Sequence, residues 1–164
     1  MKIDDLSPYS YMGHNDSVKS IGWLEGDFPK GHVDPNVIEL LEKYPITNRC
    51  RGVHGCEYCR ETAGNGEIWT VGEHGVYAAP SLLIHYIKEH NYLPPHEFID
   101  SVLNGPRPHT DEYKTMINTA ENNRKYTKKS YKEQYDEVVN KVVSELSADI
   151  DAQIIKDILN DKTW

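Results

Sequence analysis

Two pairs of metal-ligand residues constrain this chain more than any other feature of its sequence. Cys56 and Cys59 form a CxxC motif, and after a further 25 residues His85 and His90 form an HxxxxH motif. Two thiolates separated by two residues can face one ion across a tight turn, and imidazoles at this spacing suit the end of a zinc-binding helix. The four residues therefore predict a tetrahedral zinc site.

The spacing of the histidines sets a condition on the helix that carries them. In a regular α-helix of 3.6 residues per turn, side chains five residues apart diverge by about 140°, so His90 must lie in a loosened last turn. The long segment between the pairs is a smaller obstacle. Lengthening a finger loop from about twelve residues to this length costs about 0.6 kcal/mol in closure entropy, against about 10 to 16 kcal/mol of apparent zinc binding.

Two alternatives to this ligand set stay open. Cys56 and Cys59 could be a free thiol pair, with His85 an ordinary helix residue and His90 a partner of the helix dipole. His54, two residues before Cys56, could replace either histidine as a ligand or hydrogen-bond to one of the ligands.

The residues around the motifs predict short strands and helices in mixed order. Asp34 and Pro35 are typical of a helix start, as N-cap and first helical residue. Residues 67–71 and 76–79, joined by a turn at 72–75, predict a β-hairpin. Pro80 predicts the start of the histidine helix, and Asn91 its end. Further strands are predicted at residues 18–24 and 46–53, and a short helix after Pro95.

The last third of the chain is predicted to be helical. Gly105, between two turn-favouring residues and followed by two closely spaced prolines, marks a boundary. A helix is predicted at residues 111–123, and apolar residues in helical stripes predict others at 131–146 and 149–159. We therefore predict an α+β fold with two parts. Residues 1–105 form a zinc-binding α+β domain with a hairpin and helix core, and residues 106–164 form a helical extension that packs on it.

Charge and cysteine content narrow the class of protein. The chain has 18 Lys and Arg against 26 Asp and Glu, a formal net charge of −8, which argues against generic binding to nucleic acid or anionic membranes. No apolar run approaches the length of a membrane span, about 18 residues, and no secretory signal is evident. The expected compartment is the cytoplasm, where an odd number of cysteines fits two ligands plus the lone thiol of Cys50.

Several motifs resemble those of an uncharacterised family of small bacterial proteins, a domain of unknown function. They are LSPYSY at residues 6–11, GWL at 22–24, RGVHGCEYC at 51–59, GNGEI at 64–68, YAAP at 77–80 and HYIKEH at 85–90, followed by Tyr92 and the prolines at 94–95. The resemblance covers about residues 5–104. It implies that the CxxC arm, hairpin and histidine helix form one unit, and it implies no activity.

These features favour a non-enzymatic zinc-binding module that binds a protein partner. Its most specific form is an immunity-type protein that binds and neutralises a basic bacterial toxin, because an acidic surface steers a basic partner toward it.

Two other functions are kept as alternatives. If only three side chains bind the ion, an activated water with Glu57, Glu67 or Glu89 as base would make a zinc-dependent enzyme acting on a small molecule. If the basic run at residues 124–132 shares a face with the zinc helix, the chain would be a nucleic-acid-binding finger.

Overall fold

A computed structural model describes residues 3–124 of the chain. Its strands are Pro8–Tyr9 (β1), Asn15–Ser20 (β2), Ile46–Thr47 (β3), His54–Gly55 (β4), Ala63–Gly64 (β5), Glu67–Gly72 (β6) and Gly75–Pro80 (β7). Its helices are Pro35–Leu41 (α1), Leu83–His90 (α2), His96–Asn104 (α3) and Asp111–Asn122 (α4). This mixture of strands and helices confirms the predicted α+β class.

Five of the strands form one sheet in the order β1-β2-β7-β6-β3. β6 and β7 pair antiparallel along their whole length, from Glu67 opposite Pro80 to Gly72 opposite Gly75, which confirms the predicted hairpin. β2 joins the other side of β7 in parallel. Because parallel neighbours need a long crossover between them, this pairing has no local signal in the sequence.

The two hairpin strands are buried along nearly their whole length. β6 is buried from Glu67 to Val71, and every residue of β7 except Gly75 is buried. α3 packs against β6, where the hydroxyl groups of Thr70 and Ser101 lie 2.7 Å apart. Continuous burial of this kind is typical of central strands that are covered on both faces. The hairpin is therefore the centre of the core.

The predicted start of α1 is confirmed in detail. Asp34 precedes the helix, and its carboxylate accepts a hydrogen bond from the backbone N–H of Asn36 at 2.8 Å. Pro35 occupies the first helical position, where its missing N–H leaves no bond unmade. Val37 and Leu41 are the buried residues of the helix. The cap and the apolar stripe therefore both place the helix where the sequence predicted it.

α4 is tied to the sheet by two buried hydrogen bonds. Its N-cap, Thr110, accepts a hydrogen bond from the backbone N–H of Tyr113 at 3.2 Å. The hydroxyl of Tyr113 donates to the carbonyl of Trp69 at 2.8 Å, and the side-chain amide of Asn15 donates to the carbonyl of Ala120 at 2.6 Å. The helix predicted at 111–123 is confirmed, whereas the division of the chain into domains at residue 105 stays a prediction.

Three predicted boundaries are wrong because the backbone turns earlier or later than the sequence indicates. The strand expected at 18–24 is β2, and the chain turns away at Gly22, which has a φ of 70°. The strand expected at 46–53 ends at Thr47, since Asn48 adopts a left-handed φ of 48°. Pro80 is the last residue of β7, and the histidine helix begins at Leu83.

The helices predicted at residues 131–146 and 149–159 lie outside the described residues, as does most of the basic run at 124–132. Within residues 3–124, no helix combines the length and the apolar character needed to cross a bilayer.

Candidate metal centre

The CxxC motif lies at the tip of a small β-arm, residues 54–64, which we call the knuckle. β4 and β5 pair antiparallel, with His54 opposite Gly64. The backbone N–H of Cys56 donates to the carbonyl of Thr62 and the N–H of Arg60 donates to the carbonyl of Cys56, each at 2.9 Å. These bonds close a tight turn that turns the two cysteines toward one side.

The second cysteine of the knuckle accepts a hydrogen bond at its sulfur. The backbone N–H of Glu61 lies 3.5 Å from Sγ of Cys59. This bond lowers the pKa of the Cys59 thiol, but burial and the neighbouring sulfur of Cys56 outweigh it, so that the pKa of the free thiol is raised. A bound cation would reverse the balance, since a metal-coordinated thiol is deprotonated.

The two histidines come from α2, where the helix ends in a widened turn. Asn91 adopts a left-handed φ of 55° immediately after His90. The N–H groups of Asn91 and Tyr92 both donate to the carbonyl of Tyr86, five and six residues back, instead of the four of a regular helix. The hydrogen bonding thus departs from the regular pattern directly after His90, and the rings of His85 and His90 lie 4.9 Å apart.

The four predicted side chains converge although they come from two separate elements. The ligand atoms of Cys56, Cys59, His85 and His90 all lie within 4.8 Å of one another. Nε2 of His90 is 3.2 Å from Sγ of Cys56, and Nε2 of His85 is 3.3 Å from Sγ of Cys59. The two Nε2 atoms are 3.2 Å apart. Every predicted ligand is thus part of one group.

These nitrogen–sulfur and nitrogen–nitrogen separations, 3.2–3.3 Å, are close to the edges of a metal-centred tetrahedron. Zinc bonds of about 2.3 Å to sulfur and about 2.0–2.1 Å to nitrogen imply S···N edges of about 3.6 Å and an N···N edge of about 3.3 Å. A cation would satisfy all four lone pairs at once. Thiolates and imidazoles favour zinc and other borderline or soft metals over Mg²⁺ and Ca²⁺. The group can therefore hold a metal ion.

The surroundings of the group are aromatic and partly buried. Cys56 is buried, whereas the other three ligands are half-buried. The ring of Tyr58 lies 5.3 Å from that of His90, and the ring of Tyr86 lies 6.0 Å from that of His85. Burial and the neighbouring His90 lower the pKa of His85, which favours the neutral ring, the form that presents a lone pair to a metal.

The alternative ligand His54 lies outside the group of four. Its side chain is exposed, and its ring lies 6.0 Å from that of Tyr11. Cys50 also lies outside the group. It is half-buried, with its sulfur 3.6 Å from Sδ of Met12. Both residues therefore serve as matched controls for the ligands.

A second polar cluster, which the sequence analysis missed, surrounds a fully buried carboxylate. Glu67 accepts hydrogen bonds from the hydroxyl of Tyr9 at 2.7 Å, the indole N–H of Trp69 at 2.8 Å and the amide of Asn48 at 2.6 Å. The guanidinium of Arg124 lies 5.2 and 5.1 Å from the rings of Tyr9 and Trp69. We call these five residues the Glu67 cluster. A carboxylate at the start of an apolar strand is the one local signal for it.

The fold and the four converging side chains together define an α+β domain with a Cys2His2 group that can hold a metal ion. The chain belongs to the family described as Domain of unknown function (DUF7919), whose model matches residues 1–103. The match includes all four ligand residues and confirms the resemblance to an uncharacterised family. No curated protein and no solved structure matches the chain.

Proposed function

We propose that the chain is a zinc-binding protein-interaction module in which the ion is structural. The observation that carries the proposal is the convergence of four protein ligand atoms within 4.8 Å of one another. Four protein ligands are typical of structural zinc sites, whereas catalytic sites keep one position for water or substrate. The ion would join the knuckle to the C-terminal end of α2.

The space beside the centre supports a structural ion over a catalytic one. The concavity beside the knuckle, lined by Glu57 and Tyr86 among others, has a volume of about 40 Å³. Pockets for small-molecule substrates measure about 300–1,000 Å³. A concavity of this size is too small to enclose such a substrate, so it gives no support to a catalytic ion.

The interaction role is supported by charge. A formal net charge of −8 favours association with basic partners, because an acidic surface raises their encounter rate. The most specific form of the proposal is an immunity-type protein that binds a basic bacterial toxin. Mixing the chain with candidate toxins tests that form directly. Failure to form a complex and to protect against the toxin would remove the immunity role and leave the metal proposal standing.

The metal proposal is tested by metal analysis of three purified chains. We expect one equivalent of zinc in the wild-type chain and in Cys50→Ser, and loss of most of the zinc in Cys59→Ser. Cys50→Ser is the matched control because it removes a thiol outside the group. Cobalt substitution should give the intense visible absorption of a tetrahedral thiolate complex. Full zinc retention by Cys59→Ser would overturn the four-ligand assignment.

A further inference from the structure

The knuckle has almost no packing of its own. Among residues 45–66, all of which the structure describes, Cys56 is the one buried residue, with 1% of its surface exposed. Both residues of β4, and the loop at residues 51–53 before it, are exposed. The β6–β7 hairpin that follows is, by contrast, buried along nearly its whole length. The position of the knuckle therefore depends on a few attachments and not on an apolar core.

The tip of the knuckle is attached to the domain by its two cysteines and by Tyr58. The sulfurs of Cys56 and Cys59 face the imidazoles of α2. The hydroxyl of Tyr58 donates to the carbonyl of Gly26 at 3.1 Å, and its ring packs edge-on against that of Phe28 at 5.1 Å. Because the contacts of Tyr58 involve neither sulfur, a reaction at the sulfurs removes the attachment to α2 and leaves that of Tyr58.

The two sulfurs of the knuckle differ in their access to solvent. Cys56 is buried, whereas Cys59 is half-buried. Their Sγ atoms lie within 4.8 Å of each other, and two residues separate them, the spacing of the reactive pair in thiol–disulfide oxidoreductases. Cys50 lies outside the group, with its sulfur 3.6 Å from Sδ of Met12. A solvent-borne oxidant therefore meets Cys59 first, and Cys56 is the thiol placed to react with the oxidised product.

We propose that Cys56 and Cys59 are a modification site, which a hydroperoxide oxidises to a reversible disulfide, and that this oxidation releases the ion and frees the knuckle from α2. The inference rests on the proposed function, because it takes the ion to be bound by the four ligands, and it concerns the regulation of that site. Metal coordination keeps both sulfurs as thiolates, the form that reacts with peroxides.

The oxidation takes place in two steps. The thiolate of Cys59 attacks the terminal oxygen of a hydroperoxide, ROOH. An S–O bond forms, the O–O bond breaks, RO⁻ leaves, and the sulfur becomes a sulfenic acid after losing two electrons. The thiolate of Cys56 then attacks the sulfur of Cys59, so that an S–S bond forms, the S–O bond breaks and hydroxide leaves.

The net reaction reduces the hydroperoxide and oxidises the two thiolates. With two protons from water, the products are an alcohol, one water molecule and the disulfide; hydrogen peroxide gives two water molecules. The disulfide sulfurs carry no negative charge, and it is the thiolate that binds a metal. His85 and His90 alone would then face the ion, which is half of a tetrahedral ligand set.

The test exposes the zinc-loaded full chain to hydrogen peroxide while a chromogenic chelator reports the zinc that is released. We expect loss of the zinc equivalent together with a Cys56–Cys59 disulfide, identified by mass spectrometry of peptides. Reduction with dithiothreitol and addition of zinc should restore both the thiols and the bound ion. Cys50→Ser is the matched control and should behave as the wild type. Zinc that stays bound in peroxide, a disulfide that includes Cys50, or failure of reduction to restore zinc binding would overturn the proposal.

Two further measurements test the order of attack and its structural consequence. Dimedone, which traps sulfenic acids, should label Cys59 in preference to Cys56 early in the reaction. Preferential labelling of Cys56 would overturn the assigned order. Hydrogen exchange should become faster in the knuckle of the oxidised chain and stay unchanged in the β6–β7 hairpin. An equal change in both segments would overturn the local release of the knuckle.

The outcomes also separate this inference from the proposed function. If the wild-type chain neither contains zinc nor takes it up, both proposals fail. If it holds one zinc equivalent that peroxide does not release, the modification site fails alone and the structural ion stands.

Discussion

The metal centre and the Glu67 cluster are both groups of polar side chains that converge from distant segments, and they differ in what completes them. In the Glu67 cluster three donors meet one carboxylate, so the hydrogen bonds are satisfied within the protein. In the metal centre two sulfurs and two ring nitrogens meet one another. As thiolates and neutral imidazoles, these groups direct lone pairs toward one point, an arrangement that suits a metal cation.

The difference shows how a binding site can be distinguished from a structural network. Glu67 is fully buried, as expected of a carboxylate whose partners replace water. The metal ligands are less buried, and three of the four are half-exposed. A self-satisfied cluster is therefore best read as part of the core, and an incomplete one near the surface as a site for a ligand.

The largest expected effect comes from breaking the metal centre. Cys56→Ala should abolish zinc binding and lower the free energy of unfolding by more than about 4 kcal/mol, because the binding free energy of a structural ion contributes to folding. Chemical denaturation with and without a chelator measures it. The chelator should destabilise the wild type and have no effect on the variant. A chelator effect of equal size in both chains would contradict the prediction.

Breaking the Glu67 cluster should cost less and leave the metal in place. In Glu67→Gln one carboxylate oxygen becomes an amide group, which faces donors instead of accepting from them. We expect a loss of about 1–3 kcal/mol, the cost of an unsatisfied buried donor, with full zinc content. Denaturation together with metal analysis checks both parts. Loss of zinc in this variant would show that the two clusters are coupled.

The two clusters should also differ in their response to pH. The Glu67 cluster should lose stability as the pH rises, and the metal centre should lose affinity for its ion as the pH falls. Burial, and then the charge of Glu67, raise the pKa of Tyr9 far above its ordinary value. Above about pH 10 the unfolded chain loses this proton and the folded chain keeps it, so stability falls as pH rises. Tyr9→Phe should reduce that slope by up to about 1.4 kcal/mol per pH unit.

The measurement is the free energy of unfolding of both chains at a series of alkaline pH values. An unchanged slope would show that Tyr9 already loses its proton in the folded state. The metal centre should weaken in acid instead, because thiols and imidazoles must be deprotonated to bind.

The smallest expected effect is that of replacing His54, which lies close to the ligand residues in the sequence but outside the group. His54→Ala should keep full zinc content and change stability by no more than about 0.5 kcal/mol, since the side chain is exposed. His90→Ala is the matched comparison and should lose zinc. Zinc loss in His54→Ala would reopen the choice of ligands.

Local signals in the sequence predicted much of the fold and the composition of the centre. The cap of α1, the β6–β7 hairpin and the end of α2 at Asn91 each depend on a few adjacent residues, whose backbone preferences are intrinsic. The histidine spacing predicted an irregular end of α2, and the bonds of Asn91 and Tyr92 to the carbonyl of Tyr86 lie directly after His90. The predicted boundaries at Pro80 and at residue 53 are wrong because proline also fits a strand end and asparagine adopts left-handed backbone.

The sequence by itself determined which residues are candidate metal ligands, because the CxxC spacing of Cys56 and Cys59 and the spacing of His85 and His90 are local properties. Only the tertiary structure decided that His54 stays outside the group, that Glu67 is enclosed by its own donors, and that β2 lies beside β7. The physical reason is that these outcomes depend on contacts between residues far apart in the chain. No local propensity encodes such contacts, and packing of the whole core selects among them.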